Sequence, residues 1–125
     1  MKNSVHNVNF HVVWTTKYRK KFMRFKIKNT VEESLILKST DLDIKIEKYE
    51  IMPEHIHLFI RMKPNQSIAY IVSQLKGYTS YYTRKKLNLY KYKSLWSSGY
   101  FCESIGQISE SIILKYIENQ WRHYN

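Results

Sequence analysis

The sequence predicts an α+β domain, in which an antiparallel sheet carries helices on one face and a further helix closes the chain. Three observations predict it. Short runs rich in β-branched and aromatic residues, some strictly alternating, read as strands. Between them, longer stretches place apolar residues at every third or fourth position, the period of a helix with one buried face. The order is strand, helix, strand, strand, helix, strand, helix. At 125 residues and 43% hydrophobic content, residues 1–125 hold enough apolar material for one core and no room for a second domain. No repeat, low-complexity tract or flexible linker interrupts them.

Val8 to Thr15 is the first strand, dense in Val, Phe and Trp. A basic stretch follows, with Lys17, Arg19, Lys20, Lys21, Arg24 and Lys26. Ile27, Val31 and Leu35 then recur at spacing four and predict a helix, with Thr30 and Glu33 as a capping box if it starts late. Asp41 and Asp43 mark its exit. Leu42 to Ile51 alternates, placing Leu42, Ile44 and Ile46 on one face of a second strand. Met52-Pro53-Glu54 is a turn, because Pro53 cannot donate to a ladder. His55 to Met62 is the third strand and the hairpin partner of the second.

Pro64 to Ser67 punctuates the chain, and Ser67 or Asn65 can cap the next helix. That helix carries Ile68, Ile71, Val72, Leu75 and Tyr82 on one stripe to about Leu87, weakened locally by Gly77. Asn88 to Ser94 is a basic, tyrosine-bearing connection. Tyr100-Phe101-Cys102 belongs to a fourth strand, entered through Leu95 to Gly99 and ended by Gly106. Ser109 is a good N-cap for a last helix over Glu110 to Trp121. Its stripe of Ile113, Ile117 and Trp121 can anchor it on the core or on a partner. The first six elements, βαββαβ, follow the split βαβ order of ferredoxin-like folds. Which face of the sheet the helices take is left open by the pattern.

The charge narrows the function. With 21 Lys and Arg against 10 Asp and Glu, the formal charge is +11, a field that attracts polyanions, nucleic acid first. The 11 Tyr and 3 Trp add rings on which unpaired bases can stack. Cys102 is the single cysteine, which excludes an internal disulfide and a thiolate-rich zinc site and fits a reducing cytoplasm. No run of about 18 apolar residues exists to span a membrane, and Met1 to His6 lacks the apolar stretch of a secretory signal. A cytoplasmic protein with no membrane partner is expected.

Chemistry concentrates in Glu54-His55-Ile56-His57. A strand has a side-chain period of two, so His55 and His57 share a face while Ile56 and Leu58 take the other. Two imidazoles side by side are half of a metal site; most such pairs are instead ordinary hydrogen-bonded histidines. In the last helix Tyr116 and Gln120 lie four apart on one face. A phenol can attack a phosphodiester and exchange one P–O bond for another. A divalent cation held by two imidazoles and an amide oxygen would polarise that phosphate. Such ligands suit manganese or magnesium. The phenol needs nearby positive charge to ionise, from the cation or Lys115.

Four blocks of the chain resemble one family. They are Val5 to Arg19, Met52 to His57, Trp96 to Phe101, and Ile105-Gly106 through to Tyr116-Ile117-Glu118-Asn119-Gln120. They are similar, in order and spacing, to the small HUH single-tyrosine transposases (TnpA, IS200-like), which act on single-stranded DNA. The resemblance implies that His55, His57 and Gln120 bind the metal and that Tyr116 is the nucleophile. It implies a homodimer whose active sites are shared between chains and which recognises imperfect hairpins at the ends of an insertion sequence. Such an enzyme cuts one strand, leaving a 5′-phosphotyrosine link and a free 3′-hydroxyl, and then rejoins strands. One departure is the short tail, Trp121 to Asn125, after Gln120.

Other residues are weighed against plainer roles. His6, His11 and His123 read as surface or strand residues, with no partner at ligand spacing. Tyr78, Tyr81 and Tyr82 read mainly as packing. Lys17, Arg19, Lys20 and Lys21, with Arg84, Lys85 and Lys86, are either solvated faces or DNA contacts, and the excess charge favours the second. Two alternatives to a strand transferase remain. One is a hairpin-binding protein derived from such an enzyme but no longer catalytic. The other is a metallohydrolase of another phosphoester. Intact His55, His57, Tyr116 and Gln120 argue against the first. The lack of further ligands at motif spacing argues against the second.

Overall fold

The computed structural model describes residues 7–106 and 108–124, with the side chains of residues 116 and 119–124 outside the description. Its elements are β1 (Val8–Thr15), α1 (Phe25–Asp41), β2 (Lys45–Ile51), β3 (His55–Met62), α2 (Ile68–Lys86), β4 (Phe101–Ile105) and α3 (Glu110–Tyr124). The strands form one sheet in the order β2-β3-β1-β4, with every neighbouring pair antiparallel. The predicted α+β architecture and its ferredoxin-like order are present.

Alternation decides which residues meet which layer. Val12 and Trp14 of β1, and Ile56, Leu58, Ile60 and Met62 of β3, face Val31 and Leu35 of α1 and Ile71, Val72 and Leu75 of α2 in one core. The opposite face carries the odd-numbered residues of both central strands, in the register His11↔Phe59 and Val13↔His57. Phe59 on that face packs with Ile105, Ile113 and Ile117. Thus α1 and α2 cover one side of the sheet, α3 lies on the other, and His55 and His57 are on the α3 side. β3 is consequently buried on both faces from His55 to Ile60, which explains its unbroken apolar reading around two histidines.

Several local expectations are corrected. α1 begins at Phe25 without a side-chain cap, so Thr30 is buried inside the helix and forms no capping box. The earlier start brings Ile27 onto the core. Glu33 instead accepts from Lys86 Nζ at 2.6 Å and from the Tyr82 hydroxyl at 2.9 Å, tying α1 to α2. β2 begins at Lys45, because the Leu42 N–H still closes the last turn of α1 onto Lys38 and Asp43 turns the chain with φ 55°. A bulge between Ile46 and Lys48 then shifts its register. The helix over Glu110 continues past Trp121 to Tyr124. Its stripe, offered above to a core or to a partner, is used within the chain as far as it is described: Ile113 and Ile117 rest on Phe59 and Ile105. Among the described residues no helix is long and apolar enough to cross a membrane.

Candidate metal centre and nucleic-acid interface

His55 and His57 lie side by side at the start of β3, ring centroids 5.0 Å apart and planes at 77°. Both are fully buried. The turn Met52 to Glu54 is fixed by its neighbours: Met52 N–H donates to His55 O at 2.8 Å, Thr16 N–H to Glu54 O at 2.9 Å and Met23 N–H to Pro53 O at 3.0 Å. Glu54, itself almost buried, brings Oε1 within 2.7 Å of His55 Nδ1. On the other side His57 Nδ1 lies 3.0 Å from His11 Nε2, and His11 Nδ1 lies 3.1 Å from Glu103 Oε2.

Electrostatics keep both imidazoles neutral. Burial is the largest influence on each. It holds His55 below the ordinary histidine range, opposed by Glu54 and assisted by the positive charge of Arg19. It drives His57 down to about 3, with His55 and His11 adding to the effect. A neutral imidazole is the form that binds a metal. The donor chemistry also fits: His57 Nε2 is buried and has no hydrogen-bond partner among the described residues. A buried nitrogen in that state costs stability unless something accepts its lone pair or hydrogen. Among the described residues no cluster of three His, Cys, Asp or Glu could hold a cation. A third donor is therefore not found among the described His, Cys, Asp and Glu side chains. Gln120 belongs to α3 by its backbone, on the face that holds the histidines, but its side chain and that of Tyr116 lie outside the described residues.

The basic residues divide. The segment Lys17–Arg19 is a single 3-10 turn in which Tyr18 and Arg19 both adopt positive φ, 59° and 53°. Such backbone is costly for residues with a Cβ and persists only where neighbours impose it. Here they do: Lys17 N–H donates to Leu95 O and Thr16 Oγ1 to Lys20 O at 2.7 Å. The turn places the Arg19 charge where it acts on His55. Beside it opens a cleft of about 550 Å³ lined by Lys17, Lys76, Ser80, Arg84, Lys93 and Trp96. A second hollow of about 270 Å³ shares Lys17 and Lys93 and adds Tyr18, Lys20 and Tyr92.

Lys17 therefore lines both hollows, with Arg84 in the first and Lys20 in the second, and the Arg19 charge reaches His55. Lys85 and Lys86 do not join them: Lys85 reaches the Tyr81 hydroxyl at 3.3 Å, and Lys86 pairs with Glu33. Arg84 also has internal work, donating to Ser80 O and Tyr92 O. Lys21 is exposed.

Sequence reasoning missed Lys76, which donates to Ser97 O at 2.8 Å and Gly99 O at 2.6 Å and so holds the loop before β4. Gly99 needs its glycine there, with φ +83°. It also missed His11 and Glu103. The alternation of β1 was a signal that His11 shares a face with Val13 and Thr15, yet only the sheet order brings that face beside His57.

Comparison with known proteins agrees with this architecture. The family model described as "Transposase IS200 like" matches residues 4–120. The chain is 26% identical to the ISDra2 transposase TnpA of Deinococcus radiodurans, over 93% of this chain and 86% of that one. It is 25% identical to the transposase for insertion sequence element IS200 of Salmonella typhimurium, over 91% of this chain and 77% of that one. Among solved structures, a protein described as a transposase from Deinococcus radiodurans R1 superposes with a TM-score of 0.77 at 24% identity, covering 96% of this chain and 95% of that one. A REP-associated tyrosine transposase bound to a REP hairpin superposes with a TM-score of 0.61 at 13% identity, over 95% of this chain and 62% of that one. With nearly its whole length matched by the family model, the chain belongs to the IS200-like transposases.

Proposed function

We propose that this transposase is a metal-dependent strand transferase: it binds hairpins at insertion-sequence ends and cuts and rejoins single-stranded DNA through a 5′-phosphotyrosine intermediate. The observation that carries this reading is the pair of buried, neutral imidazoles on the face of the sheet that α3 covers. His55, His57 and Gln120 would hold a divalent cation, magnesium or manganese. Bound there, the cation supplies Lewis-acid polarisation of the scissile phosphate. Tyr116 is the nucleophile. Its phenolate oxygen bonds to phosphorus, the bond from phosphorus to the 3′-oxygen breaks, and that oxygen leaves as a hydroxyl after taking up a proton. Rejoining reverses the exchange with another strand.

The remainder of the chain supports binding of the substrate. The cleft of Lys17, Arg84 and Lys93 beside Trp96 offers a polyanion cationic contacts and a ring, and the Arg19 charge acts on His55. The hairpin carried by the structurally similar REP-associated transposase supports a hairpin as the partner of this chain. Residues 1–125 act as one transposase domain in the cytoplasm, as a homodimer with composite sites. Incubation with a single-stranded hairpin substrate and Mn²⁺, followed by denaturing gels, tests the reading. A covalent adduct is expected from the wild type and none from Tyr116→Phe, with hairpin binding nearly unchanged. An adduct that persists in Tyr116→Phe would assign the nucleophile to another tyrosine.

A further inference from the structure

His55 and His57 are neighbours on one strand but are held by different devices. His55 has a local one, since Glu54 is the preceding residue and lies 2.7 Å from its Nδ1. The partner of His57 is assembled from two other strands. His11 of β1 stands between β3 and β4, and its register partner on β4 is Glu103. The contacts run in a line across the sheet: Glu103 Oε2 to His11 Nδ1 at 3.1 Å, then His11 Nε2 to His57 Nδ1 at 3.0 Å. The His11 ring is parallel to that of His57 within 2°, stacks on Phe59 at 4.7 Å and meets the edge of Phe101 at 6.2 Å.

We propose that Glu103 and His11 form a positioning relay that locks His57 as its Nδ1–H tautomer, so that Nε2 is presented unprotonated to a divalent cation. The inference rests on the metal reading given above and deepens it. The polarity follows from what each group can do. An ionised carboxylate only accepts, so His11 Nδ1 carries the hydrogen. A neutral imidazole has one N–H, so His11 Nε2 accepts. His57 Nδ1 must then donate to it, and the remaining lone pair is on His57 Nε2. The reverse polarity fails at the Glu103 end, where it sets the lone pair of His11 Nδ1 against the carboxylate at 3.1 Å. Carboxylate partners of metal-bound histidines act in this way, orienting the ring and raising its basicity. Here a second imidazole is interposed between carboxylate and ligand.

Nitrogen-15 correlation spectra of the metal-free protein at neutral pH read the tautomer directly. The expected result is a protonated Nδ1 and an unprotonated Nε2 on His57; an Nε2–H form in the wild type overturns the relay. Affinity for Mn²⁺, measured by electron paramagnetic resonance, is the second readout. Glu103→Gln and His11→Leu should weaken it about ten- to a hundredfold. His11→Gln, whose amide oxygen can stand where Nε2 accepts, should recover most of the loss, which a merely structural role for the ring would not allow. Because His11 is fully buried, Glu103→Gln at its half-exposed position keeps the test available if His11→Leu fails to fold. Wild-type affinity in Glu103→Gln overturns the relay alone. Failure of the wild type to bind Mn²⁺, or binding that survives His57→Ala, overturns the metal reading on which it rests.

Discussion

The two ligand candidates are held neutral by the same burial that makes them expensive to keep. His57 is pushed to about 3, whereas an unfolded histidine titrates near 6.5. Between those values the unfolded chain binds a proton that the folded one refuses, so stability rises with pH there. Its contribution is whole above about pH 6.5 and is lost as the pH falls toward 3. At 1.36 kcal/mol per unit, His57 alone accounts for about 3 kcal/mol lost by pH 4. His55 shifts in the same direction. Thermal unfolding of the metal-free protein should therefore show a Tm that drops steadily below pH 6.5, and His57→Ala should flatten the slope. A Tm independent of pH between 6.5 and 4 would mean that the histidines are solvated. The same protonation opposes metal binding, so Mn²⁺ affinity should fall over that range too.

At the scale of elements, the described side chains of α3 meet the sheet through a small cluster. The helices on the other face share a large apolar core with the sheet, whereas α3 rests on Phe59 and Ile105 through Ile113 and Ile117. Truncation of the buried Ile113 to Ala should cost about 2 kcal/mol or somewhat more. Most of that cost should appear as local opening. Amide exchange should quicken in α3 far more than in β3 or α2, and DNA cleavage should fall with it if residue 116 supplies the nucleophile. Equal acceleration everywhere would show that α3 is instead an integral part of the cooperative core. By contrast α2 tolerates improvement. An added Cβ at Gly77 meets nothing within 4 Å, so Gly77→Ala should stabilise the protein by about 1 kcal/mol from helix propensity, read as a higher midpoint in urea.

Charge and assembly belong to the whole molecule. On the proposed function, the net +11 and the cleft that gathers Lys17, Arg84 and Lys93 should make phosphate contact the dominant part of hairpin affinity. Raising salt severalfold should weaken binding by orders of magnitude; an affinity insensitive to salt would remove the cleft from the interface. Sharing of sites is tested by mixing His57→Ala chains with Tyr116→Phe chains. In a mixed dimer with composite sites, one site carries both defects and the other none, so cleavage should return in part. Since Ile113 and Ile117 lie on their own sheet here, the competing outcome has a structural basis. If subunits exchange and activity does not return, α3 acts on the histidines of its own chain.

What the sequence determined by itself was local and periodic. The period of two in His55-Ile56-His57-Leu58 placed both imidazoles on one face, and the hairpin at Pro53 and the cap at Ser67 follow from single-residue stereochemistry. Element order was legible because each strand and helix announces its own period. The start of β2 was not, because Leu42 satisfies a strand's alternation and a helix's last hydrogen bond equally well, and the turn at Asp43 chose the second. The tertiary structure alone decided which face of the sheet α3 takes. It also decided that Lys17 and Arg84 share a cleft while Lys86 turns away to Glu33. It alone turned His11, read as an ordinary strand residue, into the link between Glu103 and His57. Those contacts join residues 46 and 92 positions apart, and no local period carries information over such distances: strand order and register set them, and burial then makes each polar partner obligatory.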